Sequence, residues 1–203
     1  LDAPFNAQYY KGTPETEIAY MGCRTRVMGN VFDPDREVTT GRGNLSFTSI
    51  NLPRLAMRAK GDVDLFFDLL DSKLQLVTGQ LLERFEIQAH KRVYNAPFLM
   101  GQGVWIDSEN LSPEDEQREV LKHGTLTTGF IGLAECLVAL TGKHHGESKE
   151  SQHVGLEIVG HMRSYCDRIS QEQKLNFSLI ATPAEGLSGR FVRMDRERFG
   201  SVP

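Results

Sequence analysis

Between positions 64 and 92 the residues Phe66, Leu69, Leu70, Leu74, Val77, Leu81 and Phe85 recur at steps of three and four. That is the buried stripe of an amphipathic helix, and it predicts the longest helix of the chain. Ser112-Pro113-Glu114-Asp115 carries a capping hydroxyl, a proline for the first helical position and acids for the first turn, predicting a short helix to about Lys122. The stretch 129–140 is mostly apolar and is stopped by Thr141-Gly142, which predicts a helix packed on several sides. Another helix is expected over 148–172. Strands are expected at 45–50, where β-branched and aromatic residues alternate with polar ones, and at 98–100 and 176–181. Strands alternating with helices indicate an α/β architecture. No internal repeat, low-complexity tract or linker divides the chain, so a single domain is expected over 1–203.

The 203 residues suffice for one domain with a core of its own, or for part of a larger one. Leu1 stands where a free-standing gene product carries Met, and Ser201-Val202-Pro203 reads as a cut, so a piece of a longer protein is expected. Lys and Arg number 23 against 27 Asp and Glu, and 23 − 27 gives a net charge of −4 with the two signs interspersed. This pattern argues against a nucleic-acid groove and against a polybasic membrane anchor. Apolar runs such as 130–140, interrupted by Glu135, fall short of the roughly 20 residues that span a bilayer, and no signal-peptide pattern opens the chain. The expectation is a soluble, cytoplasmic protein. Cys23, Cys136 and Cys166 are an odd number without C-x-x-C spacing, against both a disulfide framework and a thiolate zinc site.

Three glycine-punctuated polar stretches are candidates for chemistry. In Gly22-Cys23-Arg24-Thr25 a cysteine sits beside glycine and arginines rather than among apolar neighbours. In Thr40-Gly41-Arg42-Gly43-Asn44 the glycines allow conformations or close approaches that larger residues resist, and Asn44 at a strand entrance offers both a donor and an acceptor. In Thr182-Pro183-Ala184-Glu185-Gly186-Leu187-Ser188-Gly189-Arg190 small polar residues follow a strand and open a helix, the way backbone N–H groups form a phosphate cradle, with Arg190 as a counter-charge. Glu185 is ill suited to anion binding and better suited to moving a proton. Each stretch also has a plain structural reading: a buried thiol, a turn before a strand, and a capped helix start. Adjacent His144 and His145 point in different directions and lack a third ligand at obvious spacing, so no metal site is assigned. Cys136 and Cys166 lie on helical stretches with apolar neighbours and read as core residues.

Taken together, Tyr20-Met21-Gly22-Cys23-Arg24-Thr25, Arg42-Gly43-Asn44-Leu45-Ser46-Phe47-Thr48-Ser49-Ile50-Asn51-Leu52-Pro53-Arg54, Gly124-Thr125-Leu126-Thr127-Thr128-Gly129-Phe130-Ile131-Gly132-Leu133-Ala134-Glu135 and Ala181-Thr182-Pro183-Ala184-Glu185-Gly186 closely resemble the anaerobic, class III ribonucleoside-triphosphate reductases. Asn95-Ala96-Pro97-Phe98-Leu99-Met100-Gly101-Gln102-Gly103 and Gly142-Lys143-His144-His145-Gly146-Glu147 fit the same family. The similarity runs nearly end to end in matching order.

The resemblance implies a ten-stranded α/β barrel of two five-stranded halves, with a finger loop that carries the cysteine which becomes a thiyl radical. Cys23 matches that cysteine. The finger would cover about 18–30 and the second half of the barrel about 40–203. Asn44 matches the active-site asparagine facing the ribose hydroxyls or formate, and Glu185 resembles the glutamate of the formate-using subgroup. The turn formed by Thr182, Ala184, Gly186, Ser188, Gly189 and Arg190 would bind the triphosphate. The family's glycyl radical, its structural zinc and a second substrate-facing cysteine have no counterpart in this segment and are expected elsewhere in the protein. The resemblance further implies a radical-SAM activase with an iron–sulfur cluster as partner and a homodimer as the assembly, and it implies that this segment alone is inactive.

Two other readings compete. Another glycyl radical enzyme, of acyltransferase or diol dehydratase type, would share the finger cysteine, but the acyltransferases use two adjacent cysteines and Cys23 is flanked by Gly22 and Arg24. A non-catalytic nucleotide-binding module would use only the 182–190 turn, and a half-barrel with exposed strand edges makes a poor free-standing module.

Overall fold

The computed structural model describes residues 20–21, 25–26, 29–36, 38, 40–200 and 203. The chain is mixed α/β. Short strands β1 (Tyr20–Met21) and β2 (Thr25–Arg26) pair antiparallel, Tyr20 opposite Arg26 and Met21 opposite Thr25. A small parallel sheet has the order β3 (Asn44–Asn51), β4 (Thr125–Ile131), β5 (Asn176–Ala181). Parallel neighbours require long crossovers. Helices α1 (Leu52–Ala59) and α2 (Val63–Ala89) lie in the first crossover, along with a short α3 (Arg118–Leu121). Helices α4 (Leu133–Thr141) and α5 (Lys149–Gln173) form the second, and α6 (Glu185–Phe199) follows β5.

The long helix is where its periodicity places it. Phe66, Leu70, Leu74, Val77, Leu81, Phe85 and Ala89 form one buried stripe along α2. Helix α1 was not foreseen. Asn51 caps it, with its side-chain oxygen accepting from the Arg54 N–H at 3.2 Å, and Leu52, Leu55, Ala56 and Ala59 are its buried face. It stops at Lys60, whose left-handed φ of 53° lets its N–H return to Ala56 O.

Three expected elements differ. The apolar run 129–140 is not one helix: residues through Ile131 complete β4, Gly132 turns the chain at φ 80°, and α4 begins at Leu133. A strand buried on both faces reads as a continuous apolar run, and periodicity cannot separate it from the helix that follows. The segment 98–100 is a turn, closed by Met100 N–H to Ala96 O, and Phe98 and Leu99 are exposed. At Ser112 the chain turns, with Ser112 N–H donating to Asp115 Oδ2 and Asp115 N–H donating to the backbone carbonyl of Ser112 rather than to the hydroxyl expected as a cap. The carbonyls of Pro113 and Asp115 then accept from Tyr94 and Val93 N–H, and the Gln117 N–H donates to Lys91 O, so pairing with residues 91–94 claims the groups a helix would use. Only Arg118–Leu121 is helical there.

The described residues fall into two compact units. The first takes in the described residues of 1–47 together with 81–127 and 167–178, and the second 48–80, 128–166 and the described residues of 179–203. In the first, Trp105 lies against Gly43 and donates its indole N–H to Val120 O at 2.7 Å, within a core that includes Met100, Leu121, Leu126 and Phe177. In the second, α1 packs on α4, with Leu52, Leu55, Leu137 and Leu140 buried beside Phe66, Ile158 and Met162. Cys136 and Cys166 are both buried, and burial pushes the Cys136 thiol up to about 12. Among the described residues, no helix is long and apolar enough to cross a membrane.

Candidate functional site

In the first unit the predicted Asn44 is the first residue of β3, and it is exposed. Its Oδ1 accepts a 2.8 Å hydrogen bond from Thr127 Oγ1 of β4, which in turn lies 2.9 Å from Ser178 Oγ of β5. One polar side chain from each strand of the sheet is thus linked in a row. Neither Thr127 nor Ser178 was singled out from the sequence. The available signal was Thr125, Thr127 and Thr128 in an otherwise apolar run, since a hydroxyl in a buried strand must find a partner.

The two glycines before Asn44 have distinct roles. Gly41 adopts φ 68°, where a side chain is strained, and its carbonyl accepts from Ile106 N–H at 2.7 Å. A Cβ on Gly43 would lie 2.6 Å from the Trp105 ring. Between them Arg42 is buried, donating to His123 O (2.8 Å), Val38 O (3.0 Å) and Gly29 O (2.9 Å), and burial lowers its guanidinium to about 10.

The same cluster holds residues 29–31, which follow Cys23 by a few positions. Asn176 Oδ1 accepts from Val31 N–H at 2.7 Å, and Asn176 Nδ2 donates to Asn30 Oδ1 at 3.2 Å. Asn30 Nδ2 donates to Nδ1 of the buried His123 at 2.9 Å, which fixes the proton of the neutral ring on Nε2, 3.1 Å from Asp107 Oδ2. Burial holds the His123 imidazole below its ordinary range, against the opposing pull of Asp107 and with the nearby Arg36 and Arg42 adding to the depression. Cys23 itself falls between β1 and β2 and lies outside the described residues.

In the second unit Glu185 is the first residue of α6 and is exposed. A carboxylate in the first turn suits the positive end of the helix dipole. Gly186 and Gly189 have nothing within 4 Å of where a Cβ would stand, so packing within the protein does not require glycine at either. Arg190 is exposed as well. Two of the predicted cradle hydroxyls have internal partners. Thr182 Oγ1 is 2.7 Å from Ser49 Oγ, and Ser188 Oγ donates to Glu185 O at 2.8 Å. Ala184 precedes the helix without a side-chain cap. Helix α6 is tied down farther along by the buried Asp195, which accepts from Asn51 Nδ2 at 2.8 Å and from Arg54 Nε at 2.5 Å. A cleft of about 330 Å³ lies nearby, bordered by Met57, Ile131, Glu135, Phe191 and Arg196, with Ser188 the one predicted site residue among its walls.

His144 and His145 stack edge to face 5.8 Å apart, and His144 Nδ1 accepts from Gly146 N–H within a turn. Among the described residues no three His, Cys, Asp or Glu side chains are grouped to hold a metal ion.

Comparison with known proteins identifies the family. A family model described as anaerobic ribonucleoside-triphosphate reductase matches residues 3–203. The chain belongs to the anaerobic ribonucleoside-triphosphate reductase family. The reductase of that name from Salmonella typhimurium is 35% identical over 186 residues, which cover 90% of this chain and 26% of the relative. The one from Enterobacteria phage T4 is 29% identical over 191 residues, covering 91% and 30%. The chain therefore spans between a quarter and a third of the length of these reductases.

The fold is similar to that of the anaerobic ribonucleotide reductase from Thermotoga maritima. The crystal structure with citrate in the active site superposes with a TM-score of 0.63 at 20% identity, covering 79% of this chain and 27% of that one. The complex with dATP and CTP gives 0.58 at 21%, covering 79% and 25%. At that level of identity the likeness bears on the fold alone.

Proposed function

We propose that this chain is part of the catalytic core of an anaerobic reductase that converts ribonucleoside triphosphates to 2′-deoxyribonucleoside triphosphates with formate as reductant. The observation that carries the reading is the family match over residues 3–203; Cys23, Asn44 and Glu185 stand in the stretches whose sequence resembles that family. In this reading the segment contributes the finger loop and the second five-stranded half of a ten-stranded barrel.

Cys23 as a thiyl takes the hydrogen atom from C3′ of the ribose, forming S–H and a carbon radical. Loss of the 2′-hydroxyl as water, assisted by a proton handled at Glu185, leaves the sugar oxidised. Formate supplies two electrons and a proton as it becomes carbon dioxide, a second proton comes from solvent by way of Glu185, and Cys23 returns its hydrogen to C3′, regenerating the thiyl. Such a cysteine needs position and exclusion of water and oxygen more than a low pKa. Asn44 Nδ2 offers a donor to the ribose hydroxyls or to formate. The exposed start of α6, with unopposed space at Gly186 and Gly189 and the guanidinium of Arg190, suits an anionic triphosphate. With the hydroxyls of Thr182 and Ser188 engaged internally, backbone N–H groups and Arg190 would do that binding.

The glycyl radical supplies the unpaired electron once a radical-SAM activase has installed it. It belongs, with the structural zinc, to parts of the protein outside this segment. The whole enzyme is expected to be a cytoplasmic homodimer.

The test is an anoxic assay of the complete, activated protein with ribonucleoside triphosphate, with and without formate. Deoxynucleotide formation that depends on formate is expected. No deoxynucleotide with any reductant would remove the reading, whereas turnover with a dithiol protein in place of formate would remove only the reductant.

A further inference from the structure

Thr127 is fully buried on β4, with β3 on one side and β5 on the other. Valine has nearly the same shape and would fill that place without a polar group, so packing does not account for the hydroxyl. Its hydrogen bonds do: Oγ1 donates to Asn44 Oδ1 at 2.8 Å and lies 2.9 Å from Ser178 Oγ. A hydroxyl has a single proton. Since Thr127 gives that proton to Asn44, it receives one from Ser178, and the order of donation runs from β5 through β4 to β3.

An amide can turn over about its last side-chain torsion and exchange its oxygen for its NH2 group. With Oδ1 held by the buried hydroxyl, the exposed Asn44 keeps Nδ2 for a ligand. We propose that Thr127 is a positioning residue that holds the Asn44 amide with its NH2 group toward the reacting small molecules, Ser178 orienting the Thr127 hydroxyl in turn. The proposal rests on the placement of Asn44 at the ribose and formate in the preceding reading. Formate is a small carboxylate with acceptors only, so an amide presenting its oxygen would repel it and one presenting NH2 would bind it.

The experiment compares Thr127→Val, Thr127→Ser and Asn44→Ala in the complete, activated protein, measuring kcat and KM for formate and for the nucleotide together with the yield of protein radical. Thr127→Val is expected to lower kcat/KM for formate about tenfold, the worth of one charge-assisted hydrogen bond, at unchanged radical yield. Thr127→Ser, which restores the hydroxyl, is expected to recover to within about threefold of the parent. If Thr127→Val does not fold, Thr127→Ala takes its place with the same expectation. Full kcat/KM for formate in Thr127→Val, or a serine variant no better than valine, would overturn the proposal. If Asn44→Ala itself keeps full activity, the reading of Asn44 fails. If Asn44→Ala is inactive while Thr127→Val keeps full kcat/KM for formate, the positioning role alone fails.

Discussion

Asn176 Oδ1 accepts the backbone N–H of Val31 at 2.7 Å, while the same amide's Nδ2 faces the oxygens of Asn30, Lys122, His123 and Gly124 at 3.1 to 3.4 Å. A single buried side chain at the start of β5 therefore fastens the residues that follow Cys23 to the entrance of β4. Asn176→Asp keeps the acceptor for Val31 but sets a carboxylate oxygen among four others. At neutral pH it should destabilise the protein by about 2–4 kcal/mol, a buried group left facing its own kind. Protonating the carboxyl restores a donor, so the penalty should shrink by pH 4. Urea unfolding of parent and variant at both pH values checks this, and an equal penalty at both would be contrary to the assigned bonds.

Gly129 makes room for a bond between two other residues. A Cβ there would collide with the hydroxyls of Thr182 and Ser49, which are hydrogen bonded to each other. Gly129→Ala should cost about 1–3 kcal/mol, as overpacking does. Adding Thr182→Ala should recover part of it, since the two changes share one space. Additive losses in the double variant would show that the crowding is not the cause.

The depressed His123 sets a direction for pH dependence. Above about pH 6.5 the ring is neutral in both folded and unfolded chains, and its contribution is fully present. As the pH falls through the unfolded value toward the lower folded one, the unfolded chain binds a proton that the folded chain resists. Stability is then lost at up to about 1.4 kcal/mol per pH unit. His123→Gln should flatten the fall in thermal midpoint between pH 7 and 5, and an unchanged slope would count against a neutral, buried ring.

Which parts of this architecture the sequence carries openly follows from the range of the interactions involved. The stripe of α2 is a local pattern and was readable to within a few residues. Helix α1 has an equally local signature in Asn51, Pro53 and the spacing of Leu52, Leu55, Ala56 and Ala59, yet it overlaps the motif that runs from Arg42 to Arg54 and was hidden behind it. The boundary at Gly132 was invisible to periodicity because β4 is buried up to its last residue, the half-buried Ile131, and α4 is apolar as well. The segment 112–117 depends on bonds to residues 91–94, some twenty positions away, whereas the turn at 98–100 is closed locally by Met100 N–H to Ala96 O. Asn44 and Glu185, named from the family resemblance, stand at the start of β3 and of α6. Thr127 and Ser178 escaped because only the strand order puts them in a row beside Asn44.

The central claim concerns Cys23, and one substitution addresses it directly. In the complete protein, Cys23→Ser should abolish deoxynucleotide formation, since a serine O–H is too strong a bond to exchange hydrogen with a protein radical. The glycyl radical signal in the electron paramagnetic resonance spectrum should remain. Retained turnover in that variant, with the radical present, would contradict the assignment of Cys23 as the hydrogen-abstracting residue.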